Sequence, residues 1–289
     1  MTSVGEWVSG ARVRTLPASL VPVAVGTGVA TTSVDVSWIR AVLAGVVALA
    51  LQLGTNYAND HSDGVRGADD DRVGPMRLVA SGAATAAAVR NAAIVAFAVA
   101  AVAGLALAAI AGWWLIAVGV SAIAAGWLYT GGPRPYGYFG LGEIFVFVFF
   151  GLVATAGSAY VQVEEFTGLA VAASVPVGLL AVALLITNNL RDRPLDTESG
   201  KRTVAVRIGD SATRRLFSVT LLTVFVTGAS LGLSAPWCLL VLIALPLAVQ
   251  ATGVVRSGAT GQALIAVLGA TSRLQLAVGA LLTLGLVLS

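Results

Sequence analysis

Long apolar segments separated by short polar connections run through the whole chain. Nine of them approach the length of about 20 residues that a helix needs to cross a bilayer. They cover residues 16–32, 38–57, 88–109, 113–130, 141–162, 166–189, 214–233, 236–255 and 274–289. The stretch 261–272 is apolar but short, so we expect it to lie at the membrane interface before the last span. The pattern predicts an all-α polytopic membrane protein with nine transmembrane helices, in which residues 1–289 form a single domain.

The composition agrees with this class of protein and limits the chemistry. The 289 residues are 57% hydrophobic and only 11% charged, with a mean hydropathy of +0.91, which is too apolar for a soluble domain. Membrane lipid is therefore an expected partner, and no nucleic-acid partner is expected. One cysteine, Cys238, and one histidine, His61, exclude an internal disulfide and a cysteine- or histidine-rich metal site. Any metal ligands would be oxygen atoms, which favours Mg²⁺, Mn²⁺ or Ca²⁺.

The basic residues predict the orientation of the chain. With nine spans, Arg40 is the single basic residue on one side, and the other 16 of the 17 Lys and Arg residues fall on the opposite side. Because Lys and Arg concentrate in cytoplasmic loops, we expect an integral membrane protein whose basic side is cytoplasmic. Its N-terminus and both polar motifs described next would be cytoplasmic, and its C-terminus would lie outside.

Two acidic runs, residues 56–72 and 188–202, interrupt the otherwise apolar sequence. Each follows an apolar span and places Asn and Asp three or four residues apart, so that they share one helix face. The first patch contains Asn56, Asn59, Asp60 and Asp63, and the second contains Asn188, Asp192 and Asp196. Pro194 is expected to end its helix early and to leave Asp196 on a loop. Thr203 is expected to cap the segment that follows Lys201.

Acids with interleaved bases indicate a cation bound together with a phosphate. Mg²⁺ usually takes one or two carboxylates and completes its shell with substrate phosphates. The candidate metal residues are Asn59, Asp60, Asp63, Asp192 and Asp196, and the candidate diphosphate-binding residues are Arg66, Arg72, Arg77, Lys201 and Arg202. The contribution of Asp69, Asp70 and Asp71 is left open, because they equally suit a solvated turn.

Two other classes of function fit parts of this pattern. A cation-coupled transporter also carries membrane acids, but its site usually lies at the bilayer midplane, whereas these acids lie at span ends. A structural membrane scaffold would tolerate removal of the charges at Asp63 and Asp192.

At these residues the chain resembles the UbiA superfamily of intramembrane aromatic prenyltransferases. That family carries an Asn-Asp-x-x-Asp motif after the second span and an Asp-x-x-x-Asp motif after the sixth, matched here by Asn59, Asp60, Asp63 and by Asp192, Asp196. Four further blocks resemble the branch that prenylates 1,4-dihydroxy-2-naphthoate in menaquinone synthesis. They are ARVRTLPAS (11–19), DDDRVGPMRLVASG (69–82), YTGGPRPYGYFGLGEIFVFVFFG (129–151) and NNLRDRPLDTESGKRTVAVRIG (188–209). One departure is Gly67, where many relatives carry a further Asp.

The resemblance implies a helical bundle around a central cavity that opens laterally to lipid, in a bacterial plasma membrane. It also implies Mg²⁺-dependent transfer of a polyprenyl group from its diphosphate to an aromatic ring, with Mn²⁺ as an alternative metal. The acceptor favoured by the blocks is 1,4-dihydroxy-2-naphthoate, which loses carbon dioxide, while 4-hydroxybenzoate, homogentisate and a haem- or chlorophyll-type ring stay open.

Further residues acquire candidate roles from this chemistry. Tyr129, Tyr136 and Tyr138 are candidates for stabilising an allylic cation, or belong to an interfacial aromatic belt. Glu143 is a candidate for orienting a phenol or Arg134. Arg14 is a candidate for contacting substrate anions, or it anchors the first span.

Overall fold

The computed structural model describes residues 2–67, 74 and 76–289, and within them all regular structure is helical. We number the helices α1 to α10. They are α1 (Val4–Gly10), α2 (Pro17–Ala30), α3 (Trp38–Val65), α4 (Ala86–Ala111), α5 (Leu115–Leu128), α6 (Gly142–Val163), α7 (Gly168–Glu198), α8 (Val204–Ser230), α9 (Pro236–Arg256) and α10 (Gly261–Leu288). Short 3₁₀ turns cover Val13–Thr15, Tyr136–Phe139 and Leu231–Leu233.

The predicted count of nine spans is not confirmed as it stands. Within the described residues, seven helices are long and apolar enough to cross a membrane, namely α3, α4 and α6 to α10. An eighth is obtained if the segment Val4–Thr15 and α2, which meet at a bend of 49°, are taken as one broken span. Helix α5 lies where the fourth span was predicted, but it has only 14 residues, too few to cross the hydrocarbon core alone.

Three helices are longer than the hydrophobicity pattern predicted. Helix α3 continues through the first motif to Val65. Helix α10 runs unbroken from Gly261, so the prediction of a separate interfacial segment at 261–272 was wrong. Helix α7 continues to Glu198, so the prediction that Asp196 lies on a loop was also wrong. The fixed φ of Pro194 is compatible with a helix, and α7 continues past it to Glu198. The predicted cap is confirmed, since the Thr203 side chain accepts a hydrogen bond from the backbone N–H of Val206.

Contacts between connections define two ends of the bundle. At the acidic end, the Arg202 N–H donates to the Tyr138 carbonyl, 2.8 Å away. At the far end, Arg40 forms an ion pair of 2.8 Å with Glu164, and the Ser37 N–H donates to Gln162. The connections after α2 and α6 therefore lie together at the far end, and those after α5 and α7 lie together at the acidic end, next to both polar motifs.

The bundle has a closely packed part and a hollow part. Helix α7 is the most buried of the seven spans, since 67% of its most apolar 18-residue stretch lies inside the protein. The largest core cluster joins it to α2 and to α8 through α10. Helices α3, α5 and α6 enclose a cavity beside it. The middle of α6, Phe147–Ala156, is a π-helix, a conformation frequent at functional sites. There Gly151 touches Gly178 of α7, and a Cβ on Gly151 would lie 2.8 Å from the Gly178 Cα, so only glycine allows this approach.

Candidate active site

A cavity of about 380 Å³ runs between the acidic end and the far end of the bundle. Its wall is apolar over most of its length, with side chains from α2 to α7. At the acidic end the wall carries many of the candidate residues named from the sequence. Those that line it are Asn56, Asn59, Asp63, Arg77, Tyr129, Tyr136, Tyr138, Asn188, Asp192, Asp196 and Lys201. The two motifs, which are far apart in the sequence, therefore share one site.

Lys201 connects the two motifs directly. Its Nζ lies 3.6 Å from Asp63 Oδ1 of the first motif and 4.0 Å from Asp196 Oδ1 of the second. Asp63 and Asp196 are both buried, with 4% and 8% of their surface exposed to solvent. The Tyr138 hydroxyl donates to the same Asp63 oxygen at 2.8 Å, and its ring centroid lies 4.6 Å from Lys201 Nζ. The ends of α3 and α7 thus face each other at short range.

Asp192 also faces the cavity, at the centre of the second motif. Its carboxylate is held by the neighbouring Arg191, whose Nε and Nη2 donate to the two oxygens at 2.6 and 2.7 Å. Asn188 lines the cavity one turn before it. The bidentate pair fixes the direction of the Asp192 carboxylate.

The two asparagines of the first motif are already engaged in hydrogen bonds. Asn59 accepts one from the Thr130 hydroxyl at 2.8 Å. The Asn56 amide nitrogen donates to the Ala11 carbonyl at 3.0 Å and to Thr15 Oγ1 at 3.2 Å. Asn56 therefore fastens the N-terminal segment to α3, and Asn59 connects α3 to the residues after α5.

Asp60 does not belong to the cavity wall. It is fully buried, and its two oxygens accept the backbone N–H groups of Leu78 and Val79 at 2.9 and 3.0 Å. Both oxygens are therefore occupied by the segment that precedes α4. Its contacts in the structure are with this backbone and not with the cavity, and the metal contact that the sequence predicted for this carboxylate stays a prediction.

The predicted cations divide into two groups. Arg77 is buried and lines the cavity, as Lys201 does. Arg66 lies outside, where its guanidinium donates to the carbonyls of Thr130 and Gly132. Arg14, Arg134 and Arg202 are exposed and do not line the cavity. Arg72 and the acids Asp69, Asp70 and Asp71 lie outside the described residues.

Aromatic rings form one wall next to the acids. Tyr136 stacks on Phe145 with ring centroids 4.0 Å apart, and Tyr129 meets Tyr136 edge to face at 5.4 Å. The Tyr136 hydroxyl donates to the Ala125 carbonyl, and burial raises the pKa of this phenol above its ordinary value. These tyrosines therefore contribute neutral rings to the cavity.

Glu143 lies behind this wall and reaches the cavity through another residue. Its Oε1 accepts a hydrogen bond from Asn189 Nδ2 at 2.9 Å, and Asn189 lines the cavity. Arg134 is exposed, and none of the contacts of Glu143 supports the predicted role in orienting it.

Some cavity residues were missed by the sequence reasoning. Arg12 lines the cavity and has a left-handed backbone with φ of 52°, which is uncommon for a residue other than glycine. Its signal was the basic opening Arg12–Val13–Arg14, in which only Arg14 was predicted to contact substrate. Asn189 adjoins Asn188, and helical spacing alone favoured the latter. Nothing in the local sequence pointed to Thr130.

The donors at the acidic end suit a hard divalent cation that is shared with phosphate. Among the described residues, no three His, Cys, Asp or Glu side chains approach closely enough to hold an ion alone. Carboxylates of Asp63, Asp192 and Asp196 nevertheless face one cavity that also contains Lys201 and Arg77. Mg²⁺ characteristically binds in this way, with one or two carboxylates and substrate phosphates.

Comparisons with known proteins identify the fold and the family of this chain. The chain is 50% identical over 268 residues to the 1,4-dihydroxy-2-naphthoate octaprenyltransferase of Mycobacterium tuberculosis, covering 93% of this chain and 92% of that one. It is 37% identical to the Escherichia coli protein of the same name, over 84% and 82% of the two chains. The fold matches a UbiA homolog from Archaeoglobus fulgidus bound to DMAPP and Mg²⁺, with a TM-score of 0.67 and 17% identity over 96% and 98% of the chains. Residues 19–264 match the UbiA prenyltransferase family, and the chain belongs to that family.

Proposed function

We propose that this protein transfers a polyprenyl group from polyprenyl diphosphate to 1,4-dihydroxy-2-naphthoate, with loss of diphosphate and carbon dioxide. The observation that carries the proposal is the meeting of both motifs around Lys201, at the mouth of an apolar cavity. The names of the bacterial relatives, which cover most of the chain, support the choice of acceptor.

The acidic end is the proposed site of the diphosphate. Asp63, Asp192 and Asp196 would hold Mg²⁺, or Mn²⁺ in its place, and Asn59 adds an amide oxygen nearby. When bound, the cation neutralises negative charge on the diphosphate and so makes it a better leaving group. Lys201 and Arg77 supply positive charge from the chain itself. Arg66, Arg14, Arg134 and Arg202 are not assigned to substrate, since they do not line the cavity.

The apolar part of the cavity is the proposed site of the prenyl chain and of the chemical step. Breaking the bond between the prenyl carbon and oxygen leaves the electron pair on diphosphate and an allylic cation on the chain. The aromatic wall around Tyr129 and Tyr136 can stabilise that cation, and the apolar surroundings exclude water that would quench it. The ring carbon bearing the carboxylate then forms the new bond. Carbon dioxide leaves, and the electrons of its bond return to the ring.

The membrane setting follows from the same arrangement. We propose that the acidic end faces the cytoplasm of a bacterial cell, because the basic residues concentrate there and Arg40 lies at the far end. The many exposed apolar side chains, such as Trp38, Ile39 and Val42, suit contact with lipid.

The direct test uses purified protein in detergent with Mg²⁺, a polyprenyl diphosphate and 1,4-dihydroxy-2-naphthoate. Mass spectrometry should show the prenylated, decarboxylated ring, and EDTA should abolish its formation. Product from 4-hydroxybenzoate but not from the naphthoate would overturn the acceptor. No product from any aromatic acceptor would overturn the enzyme proposal.

A further inference from the structure

Glu143 is partly buried, and only one of its two carboxylate oxygens is hydrogen-bonded to another side chain. Oε1 accepts the bond from Asn189 Nδ2, while Oε2 is buried and has no hydrogen-bond partner among the described residues. Burying a carboxylate oxygen without a partner is unfavourable. A buried group of this kind therefore calls for an explanation beyond packing.

The bond to Glu143 determines which way the Asn189 amide points. The amide nitrogen is directed at the carboxylate, so Oδ1 lies on the other side of the planar group. Asn189 is 9% exposed, and it lines the cavity. Asn189 can therefore present a hydrogen-bond acceptor to the cavity, in an orientation that Glu143 sets.

The surroundings of Asn189 suit an aromatic molecule. Leu185, one turn earlier on α7, and Tyr129 also line the cavity, and both lie against Gly142, beside Glu143. Asn189 is followed on α7 by Asp192, one turn closer to the acidic end. A ring bound here would lie between the aromatic wall and the proposed diphosphate site, as attack on the prenyl carbon requires.

We propose that Glu143 is a positioning residue, which orients Asn189 so that Oδ1 accepts a hydrogen bond from a hydroxyl group of the aromatic acceptor. This inference rests on the proposed function and names the contact that selects hydroxylated rings. A site built to bond a substrate hydroxyl discriminates strongly against analogues that lack it.

The test compares Glu143→Leu with the conservative Glu143→Gln, and Glu165→Leu serves as a control at the exposed far-end loop. Glu143→Leu should raise KM for the acceptor about tenfold, the effect of one lost hydrogen bond, and leave KM for the prenyl diphosphate unchanged. Glu143→Gln should keep the wild-type KM for the acceptor, because the glutamine amide oxygen can accept the same hydrogen bond from Asn189. An unchanged acceptor KM in Glu143→Leu would overturn the inference. A fall in kcat of equal size in both Glu143 variants would also overturn it, because that result would indicate proton transfer by the carboxylate.

A second measurement uses wild-type protein and covers the case in which the variants fail to insert. The inhibition constants of hydroxylated naphthoates are compared with those of their methyl ethers, which cannot donate. In wild-type protein, at least one methyl ether should bind about tenfold more weakly than the hydroxylated naphthoate from which it derives. In Asn189→Leu, the two members of that pair should bind equally. Equal binding of every pair by wild-type protein would contradict the inference. Failure of wild-type protein to prenylate any acceptor would instead refute the proposed function.

Discussion

The two halves of the cavity are built in opposite ways. At the acidic end, Asp63 accepts a hydrogen bond of 2.8 Å from Tyr138 and lies 3.6 Å from Lys201, so that α3 meets the connections after α5 and α7 there. In the far half, Gly104, Gly119 and Gly157 line the wall. A Cβ built on any of these three glycines would meet no atom closer than 4.0 Å.

This contrast separates two tasks. A charged group that leaves during the reaction needs partners fixed in advance, because reorientation at the moment of reaction is costly. A hydrocarbon chain needs only space and an apolar surface. We therefore expect substitutions at the acidic end to change the rate of reaction and those in the far half to change which prenyl chains are accepted.

The largest effect is expected from Asp63→Asn or Asp192→Asn. Each removes one carboxylate charge from the proposed metal site, and we expect kcat to fall by about 10²- to 10³-fold, as for other lost electrostatic contacts in active sites. Asp35→Asn, at an exposed position outside the cavity, should retain full activity. The measurement is turnover of equal amounts of folded, membrane-inserted protein. Near-normal turnover in either motif variant would contradict the assignment of that carboxylate to the metal site.

Asp60→Asn should produce a smaller loss of a different kind. An amide oxygen can accept from Leu78 or Val79, but its NH₂ group then faces the other backbone donor. We expect lower thermal stability and reduced turnover, with an unchanged Mg²⁺ concentration for half-maximal activity. A large rise in that concentration would restore Asp60 to the metal site.

A change in selectivity is expected from Gly119→Leu and Gly157→Leu. Gly119 lies about 15 Å along α5 from Tyr129, which itself lines the cavity near the acids. Each leucine should fill the far half, so that turnover of long prenyl diphosphates falls while that of geranyl diphosphate is retained. Gly253→Leu on α9 adds the same side chain in open space outside the cavity and should leave the profile unchanged. A proportional loss with every chain length would contradict the division of tasks.

The smallest effect on activity is expected from Arg40→Leu at the far end. Arg40 pairs with Glu164 and donates to the Val161 carbonyl at 2.7 Å, so its loss should lower the unfolding temperature. The KM for both substrates should stay unchanged, because Arg40 does not line the cavity. A raised KM for the aromatic acceptor would show that the two ends are coupled.

The sequence predicted the helices and both motifs because hydrophobic length and polar spacing are local properties. It placed the end of α7 too early, because Pro194 is compatible with a helix whose neighbours hold it in place. It did not reveal the contacts of Asp60 with Leu78 and Val79, because spacing gives the face of a helix but not the segment that packs against it. Arg12 and Asn189 were missed for a related reason, since their positions depend on contacts between segments that are distant in the sequence.

The central claim is that both motifs bind the same diphosphate, and binding measurements test it most directly. A non-reactive prenyl thiodiphosphate is titrated with Mg²⁺ into wild-type protein, Asp63→Asn, Asp192→Asn and the double variant. If the two residues serve one site, each single variant should lose most of the affinity, and the double variant should bind little worse than either. Losses that multiply in the double variant, or one motif variant that binds as wild type does, would contradict a shared site.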